Sequence, residues 1–285
     1  MPITRSTSDP EIIRSWLFDK NSNHTRQLYN NTLKQFQSFS SEPLSNVKIE
    51  DIQLWIDSLK LRGYSLHTIR VKVLCLKSLF SYCFDVGYLP FNVAARVKPP
   101  KPKETLSQRL LNVADIEKLI RATKTHRDFL MLSLIYACGL RISEASRLTW
   151  QDLQPRKDGG QALIDGKGGQ SRVVLIPVGL WAKLMAFQSL RSPHTDAVFY
   201  SRRQKELARS RIHQIVKQAA LDAGINPKTS AHWLRHAHAT HSLENGCDIS
   251  LLQQSLGHSD ITTTQRYLTA RPNQCSSQYL PSSLW

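Results

Sequence analysis

A proline-rich, basic segment near residue 100 limits how this chain can fold, because it divides the chain into two parts. Residues 96–104 read Arg-Val-Lys-Pro-Pro-Lys-Pro-Lys-Glu, with three prolines and four basic side chains. Proline lacks an N–H and fixes its φ angle, so such a segment is stiff and cannot continue a helix. It predicts an interdomain linker over residues 99–111, and an ordinary surface loop is the alternative. The 285 residues are enough for two domains, at 1–98 and 112–285.

The first part has the apolar spacing that is typical of amphipathic helices. Asp9 is the expected N-cap of the first helix, with proline next to it. The predicted helices cover residues 10–20, 23–39, 49–61 and 65–84. Four such helices with short connections predict a small bundle. Trp55 and the phenylalanines are expected in its core rather than stacked on bases.

The second part has a mixed pattern. Two short β-type runs, 162–165 and 172–176, flank a glycine-rich turn and predict a hairpin. The predicted helices are 112–123, 128–138, a segment after Gly139, 178–189, 206–223, 231–245, 249–255 and 260–268. The expected fold class is therefore mainly α with a small antiparallel β-sheet, in two domains.

The charge indicates what this protein binds. The formal net charge is +16 and the isoelectric point is about 9.9, which favours a polyanion such as DNA, although basic charge can also serve solubility alone. A basic run that is spaced through a predicted helix favours DNA over solubility. The candidate DNA contacts in the second domain are Arg202, Arg203, Lys205, Arg209 and Arg211. Those in the first domain are Arg62, Arg70, Lys72 and Lys77, for which a solvated helix face is nearly as good an interpretation.

Several classes of protein are disfavoured. The longest apolar run, residues 129–140, is too short to span a bilayer, and the N-terminus has no apolar signal core. A cytoplasmic location without membrane attachment is therefore expected. The five cysteines are scattered, without the spacing of a zinc or redox motif. Cys75, Cys83 and Cys138 lie among apolar neighbours and are expected to fill the core.

A pattern near the carboxyl end has the residue types that act on phosphodiesters. His232 and Arg235 lie three residues apart on one predicted helix face, His258 closes a Leu-Gly-His run, and Tyr267 follows. Arginine grips phosphate with a planar fork, imidazoles move protons, and a phenol oxygen can attack phosphorus. Nearer the middle of the chain, Arg141 stands one helical turn from Glu144. Lys167 stands between glycines at the predicted hairpin tip, where it could act as a mobile general acid.

Each of these residues also has a structural interpretation. Arg141 and Glu144 could be a simple ion pair, Lys167 a solvated side chain and Tyr267 a core residue. His232 and His236 are four residues apart, as in some metal sites, but no glutamate stands at the HExxH position and no cysteine is near. No metal site is therefore predicted, and His236 and His241 are expected to be packing or hydrogen-bonded residues.

Taken together and in this order, the motifs resemble the tyrosine recombinase (phage integrase) family, of the Xer and integrase type. The matching runs are Cys-Gly-Leu-Arg-Ile-Ser-Glu, Gly-Lys-Gly-Gly, His-Trp-Leu-Arg-His, Leu-Gly-His and Thr-Thr-Gln-Arg-Tyr. The first domain is similar to the helical core-binding (SAM-like) domain of that family. One departure is that no histidine stands close behind the tyrosine.

The resemblance implies a role for each residue. Tyr267 would attack the scissile phosphate, leaving a 3′-phosphotyrosyl bond and a free 5′-hydroxyl. Arg141 and Arg235 would hold the non-bridging oxygens, and Lys167 would protonate the leaving oxygen. His232 would assist proton transfer from Tyr267, and His258 would donate to a phosphate oxygen. Glu144 would contact Arg141 and hold its side chain in position. No cofactor or metal is implied, because the phosphotyrosine conserves the bond energy.

The implied function is site-specific recombination of double-stranded DNA by a homotetramer on two synapsed sites, with a monomer possible in free solution. Accessory DNA-bending or directionality factors are possible partners. The residues from 273 onward could pack on a neighbouring protomer or be a frayed terminus. Two alternatives remain at this stage: relaxation of DNA by a type IB topoisomerase-like enzyme, and DNA binding by a catalytically silent regulator.

Overall fold

The computed structural model describes residues 8–102, 110–166, 171–189, 193–258 and 260–270 of the 285. The chain divides into two compact units, Met1–Glu104 and Thr105–Trp285. This division lies inside the segment 99–111 that the prolines predicted to be a linker. Among the described residues, no helix is long and apolar enough to span a bilayer.

The first unit contains helices at four places close to those predicted. They are α1 (Asp9–Phe18), α2 (Asn23–Gln37), α3 (Ile49–Leu61) and α4 (Leu66–Asp85). Their apolar faces meet in one core, where the Trp55 ring packs edge-on against Phe36 with centroids 5.2 Å apart. Trp55 is therefore a core residue, as expected. The expectation for the phenylalanines was wrong for four that face outward, namely Phe18, Phe39, Phe84 and Phe91, which are 78%, 45%, 48% and 62% exposed.

The N-cap of α1 differs from the prediction. Ser8, not Asp9, is the N-cap residue, and it forms a capping box with Glu11. Asp9 instead accepts a hydrogen bond from the Leu44 backbone N–H and another from the Tyr88 hydroxyl. This carboxylate therefore ties the start of α1 to two distant segments rather than to its own first turn.

The second unit is built around a buried helix. It begins with α5 (Val113–Arg121), α6 (His126–Ala137) and α7 (Ile142–Arg147), followed by a 3₁₀ turn at Trp150–Asp152. The apolar run predicted to be a central helix forms α6, whose Leu130 and Ile135 are fully buried. Cys138, at the end of that helix, and Cys75 and Cys83 in the first unit are buried free thiols, as expected for core residues.

The small sheet is antiparallel, with strands in the order β1 (Leu153–Arg156), β2 (Gly159–Asp165) and β3 (Ser171–Ile176). The predicted hairpin is β2–β3, in register with Asp165 opposite Ser171. Its tip includes Lys167, which lies outside the described residues. The fold class is confirmed: the described structure is mainly helical with one small antiparallel sheet.

Helices form the rest of the described unit. They are α8 (Val178–Gln188), α9 (Arg209–Asp222), α10 (Ala231–Glu244), α11 (Ile249–Leu256) and α12 (Thr262–Ala270). One prediction was wrong, because Arg202, Arg203 and Lys205 precede α9 rather than lie on it. They form a tight turn in which the Ser201 N–H donates to the Lys205 carbonyl. The turn reverses the chain before α9 can begin.

Candidate active site

Arg141 is positioned by the break between α6 and α7. Gly139 takes φ +59°, and a Cβ there would lie 2.8 Å from the His238 ring, so only glycine fits. Arg141 then becomes the N-cap residue of α7, and its backbone N–H donates to Glu144 Oε2 at 2.7 Å. The sequence Gly-Leu-Arg-Ile-Ser-Glu therefore fixes Arg141 and Glu144 through this bond between the Glu144 side chain and the N-cap backbone.

Glu144 is a buried carboxylate at the meeting point of three guanidinium groups. Arg141 Nη1 donates to Oε1 at 2.8 Å, and Arg172 donates to both carboxylate oxygens at 2.9 and 2.7 Å. Arg235 Nη1 lies 3.9 Å from Oε2. The two arginines predicted to grip phosphate therefore converge on one point, as the hypothesis of a common phosphate site requires.

The charges in this cluster are held in their ionised forms. Burial raises the pKa of the Glu144 carboxyl, but hydrogen bonds and charge from Arg172 and Arg141 outweigh it and bring the pKa to about 2. One carboxylate thus faces three guanidinium groups, which leaves a net excess of positive charge. That excess favours the arrival of an anion such as a phosphodiester.

Arg235 is the most buried member, with 1% of its surface exposed. It lies on α10 and donates to the Gly139 and Leu256 carbonyls, the latter at 2.6 Å. Burial and the neighbouring charge of Arg141 lower its pKa to about 10, so it stays charged at neutral pH. Arg141 is more accessible, because 36% of its side chain is exposed while its Nη2 donates to the Gly257 carbonyl.

His258 links the arginines to the last described helix. Its Nε2 lies 3.0 Å from Arg235 Nη2, and its Nδ1 lies 2.8 Å from the Thr264 hydroxyl. Because a guanidinium can only donate, Nε2 must accept, and the ring proton must be on Nδ1. Burial and the charges of Arg235 and Arg141 lower the pKa of His258 to about 4, so the ring is neutral at pH 7. Donation to phosphate from Nε2 therefore requires another proton or the other tautomer.

Tyr267 lies on α12 and is 4% exposed. Its hydroxyl is 2.8 Å from Nδ1 of His236, and its ring stacks on His258 with centroids 6.5 Å apart. The resemblance implied that His232 assists proton transfer from this hydroxyl, and in the structure the hydroxyl contacts His236. The His232 ring lies next to His236, with centroids 4.1 Å apart.

Sequence reasoning missed two members of the site. Arg172 was predicted only as part of a strand. Its guanidinium hydrogen-bonds to Glu144, a residue 28 positions away in the chain. His236 was expected to be a packing or hydrogen-bonded residue, and its hydrogen bond to Tyr267 depends on the packing of α12 against α10. The available signal for His236 was its position next to Arg235 on the motif-bearing helix. For Arg172, the signal was a basic side chain five residues after Lys167.

The candidate DNA contacts differ in how they are engaged. Lys77 donates to the Ala94, Ala95 and Val97 carbonyls at 2.7, 2.7 and 3.0 Å, a structural role that competes with phosphate binding. Lys72 donates to Gln35, and Arg70 donates to the Pro100 carbonyl at 3.4 Å. The other candidates have exposed side chains: Arg62, Arg202, Arg203, Lys205, Arg209 and Arg211.

Comparison with known proteins assigns the class. The model of the phage integrase family matches residues 109–274, and that of the phage integrase N-terminal SAM-like domain matches residues 16–86. Tyrosine recombinase XerC of Thermodesulfovibrio yellowstonii is 33% identical over 262 residues, covering 86% of this chain and 85% of the relative. Tyrosine recombinase XerD of Pseudomonas aeruginosa is 32% identical over 270 residues, covering 88% of each chain.

Solved structures share the fold. A lambda integrase tetramer bound to a Holliday junction has a TM-score of 0.76 at 16% identity, covering 94% of this chain and 78% of that one. The XerH recombinase in a post-cleavage complex with difH has a TM-score of 0.74 at 22% identity, covering 92% and 81%. Fold and sequence thus define the class of tyrosine recombinases. The chain belongs to the phage integrase family.

Proposed function

We propose that this protein is a site-specific DNA recombinase that cuts and rejoins strands through a 3′-phosphotyrosyl intermediate. The observation that carries the proposal is the cluster in which Arg141 and Arg235 share Glu144, while His258 contacts both Arg235 and the Tyr267 ring. Cationic donors and a phenol nucleophile thus lie side by side, as phosphoryl transfer requires.

In the proposed reaction, the Tyr267 oxygen forms a bond to phosphorus as the bond from phosphorus to the 5′-oxygen breaks. The phenol proton passes to an imidazole. The family resemblance gives this role to His232, whereas His236 is the imidazole that contacts the hydroxyl in the structure. The leaving 5′-oxygen takes a proton from the general acid, a role that the family resemblance gives to Lys167. Arg141 and Arg235 neutralise the charge that grows on the non-bridging oxygens. A later attack by a 5′-hydroxyl on the phosphotyrosine reverses these steps and joins a new strand.

Double-stranded DNA is the proposed partner, and a homotetramer on synapsed sites is the proposed assembly. The lambda integrase tetramer on a Holliday junction supports this arrangement. The exposed arginines before and on α9 are proposed DNA contacts. Accessory factors and a cytoplasmic location remain proposals from the sequence. The relatives described above are recombinases, and none supports a topoisomerase or a silent regulator.

The decisive test is the Tyr267→Phe variant, which removes one oxygen and keeps the ring. The DNA substrate is first identified by sequencing fragments trapped on the wild-type protein, and a nicked duplex of that sequence then accumulates the covalent adduct. We expect the wild type to form the adduct with or without EDTA, and Tyr267→Phe to bind the duplex but form none. Tyr82→Phe, which removes a phenol oxygen in the first unit, is the matched control. An adduct that persists in Tyr267→Phe would refute the assignment.

A further inference from the structure

Arg172 is a largely covered arginine that the resemblance left without a role. It stands near the start of β3, next to the hairpin tip, and 10% of its side chain is exposed. Its two Nη atoms donate to the two oxygens of Glu144, and its Nε donates to the Ser255 carbonyl at 2.7 Å. All three nitrogens of the planar fork are thus engaged, which fixes the plane of the guanidinium.

This fork determines how Glu144 faces Arg141. Oε1 accepts from Nη1 of both arginines, and Oε2 accepts from Arg172 Nη2 and from the Arg141 backbone. A bidentate contact sets the plane of the carboxylate, and the carboxylate in turn sets the direction of the Arg141 side chain. Without Arg172, Glu144 would keep only its two contacts to Arg141, one of them through the partly exposed Arg141 side chain, so the plane of the carboxylate would be held less firmly.

A second contact extends this control to the end of α11. Arg172 holds the Ser255 carbonyl, and Arg141 holds the Gly257 carbonyl two residues later at 2.9 Å. Gly257 takes φ +64°, and a Cβ there would lie 3.1 Å from Arg172 Cδ, so the arginine stem packs directly on this glycine. The two guanidinium groups and Glu144 therefore form one rigid unit with the segment that leads into His258.

We propose that Arg172 is a positioning residue for strand cleavage, which holds Glu144 so that Arg141 points at the scissile phosphate. This inference rests on the proposed function. A purely structural pair needs one arginine for one glutamate, whereas three guanidinium groups surround Glu144 here. The surplus charge suits a site that binds an anion and disfavours a simple buried salt bridge.

The test compares two substrates in single-turnover cleavage. One nicked duplex carries the normal scissile phosphate, and the other carries a methylphosphonate, in which a methyl group replaces one non-bridging oxygen. The methylphosphonate has no negative charge, so its cleavage depends less on a correctly aimed guanidinium. We expect Arg172→Ala to slow phosphate cleavage about 10²-fold, the size of effect that misplacing a catalytic group produces. On the methylphosphonate, the cleavage rate of Arg172→Ala should be within about threefold of the wild-type rate. The cleavage rate of Arg141→Ala on this substrate should be within the same range.

The matched control is Arg156→Ala, an exposed arginine of the same sheet, which should cleave both substrates at the wild-type rate. Arg172→Lys should stay slow on phosphate, because an ammonium cannot span both carboxylate oxygens. Equal slowing of Arg172→Ala on both substrates would make Arg172 merely structural, and so would failure of both variants to fold. Rescue only by a 5′-bridging sulfur, which leaves without a proton, would place its effect on the leaving group and overturn the proposal. Failure of the wild type to form any adduct would instead refute the proposed function.

Discussion

The candidate active site has two halves that differ in how far they are ready for DNA. In the cationic half, Arg141, Arg172 and Arg235 are already oriented on Glu144 by short hydrogen bonds and ion pairs. In the imidazole and phenol half, the functional atoms already have hydrogen-bond partners within the protein. Tyr267 contacts His236, and His258 accepts from Arg235.

The difference follows from what each half must do. A phosphate-binding group gains from being fixed in advance, because no reorganisation is then needed when charge develops. A nucleophile that is buried against a histidine is kept from the wrong phosphate until the site opens. On the proposed roles, the guanidinium groups are oriented before DNA binds, whereas the Tyr267 hydroxyl is held against His236. Each of the following predictions tests one side of that contrast.

The largest effect is expected from Arg235→Ala. This change removes a predicted phosphate donor and also leaves the Gly139 and Leu256 carbonyls without their partner in the interior. We expect cleavage to fall at least about 10²- to 10³-fold, the usual cost of one oxyanion donor. The free energy of unfolding should also fall by several kcal/mol, since each buried group left unsatisfied costs about 1–3 kcal/mol. Single-turnover cleavage and chemical denaturation measure the two losses.

Arg141→Ala is the comparison variant, because that side chain is more than one-third exposed. It should lose cleavage to a similar degree but retain most of the stability. If Arg235→Ala kept normal cleavage of the nicked duplex, the cationic half would not be the phosphate site. If both variants were equally unstable, the main role of the cluster would be to stabilise the fold rather than to bind phosphate.

A smaller effect should separate the two histidines near Tyr267. His236 contacts the hydroxyl in the closed state, and the resemblance gives His232 the role in proton transfer. We expect His232→Gln to slow adduct formation about 10²-fold, as is usual for the loss of a general base. His236→Gln should stay within about tenfold of the wild type, because it removes a contact of the closed state. The reverse order of rates would make His236 the proton acceptor and the observed contact part of the reactive state.

How much of this the sequence could predict depends on the kind of contact. The α3 bounds were predicted because they follow from the local spacing of apolar residues. The positions of Arg141, Arg235, His258 and Tyr267 came from motifs whose order in the chain is informative. Strand β1 was missed because three of its four side chains are exposed, so it shows no alternation of apolar residues.

The remaining differences arise from contacts between distant segments. The hydrogen bonds from Arg172 to Glu144 join strand β3 to the first turn of α7. The contact of Tyr267 with His236 joins residues 31 positions apart. Neither is encoded by periodicity, because both depend on how elements pack. Ser8 rather than Asp9 caps α1 for the same reason, because the Asp9 carboxylate accepts hydrogen bonds from the distant residues Tyr88 and Leu44.

The last prediction concerns acid and tests which of the two halves loses stability first as the pH falls. Burial lowers the pKa of His258 and of His238 from 6.5 to about 4. The unfolded chain therefore takes up protons below pH 6.5 that the folded chain refuses until about pH 4, so stability falls as the pH drops through that window. Glu144 acts at lower pH, because its stabilisation is present above 4.5 and is lost as the pH falls towards about 2.

We therefore expect the melting temperature to start falling between pH 6.5 and 4.5, before the Glu144 cluster is affected. The shift of the more deeply buried His238 corresponds to a loss on the order of a few kcal/mol by pH 4, and His258 adds less because solvent screens its partly exposed ring. His258→Asn removes one of the two sites but keeps an acceptor for Arg235, so its stability should depend less steeply on pH in this window. His24→Gln, an exposed change in the first unit, is the control. A melting temperature that stays constant down to pH 4.5 would show that the imidazole half is no more sensitive to acid than the cationic half.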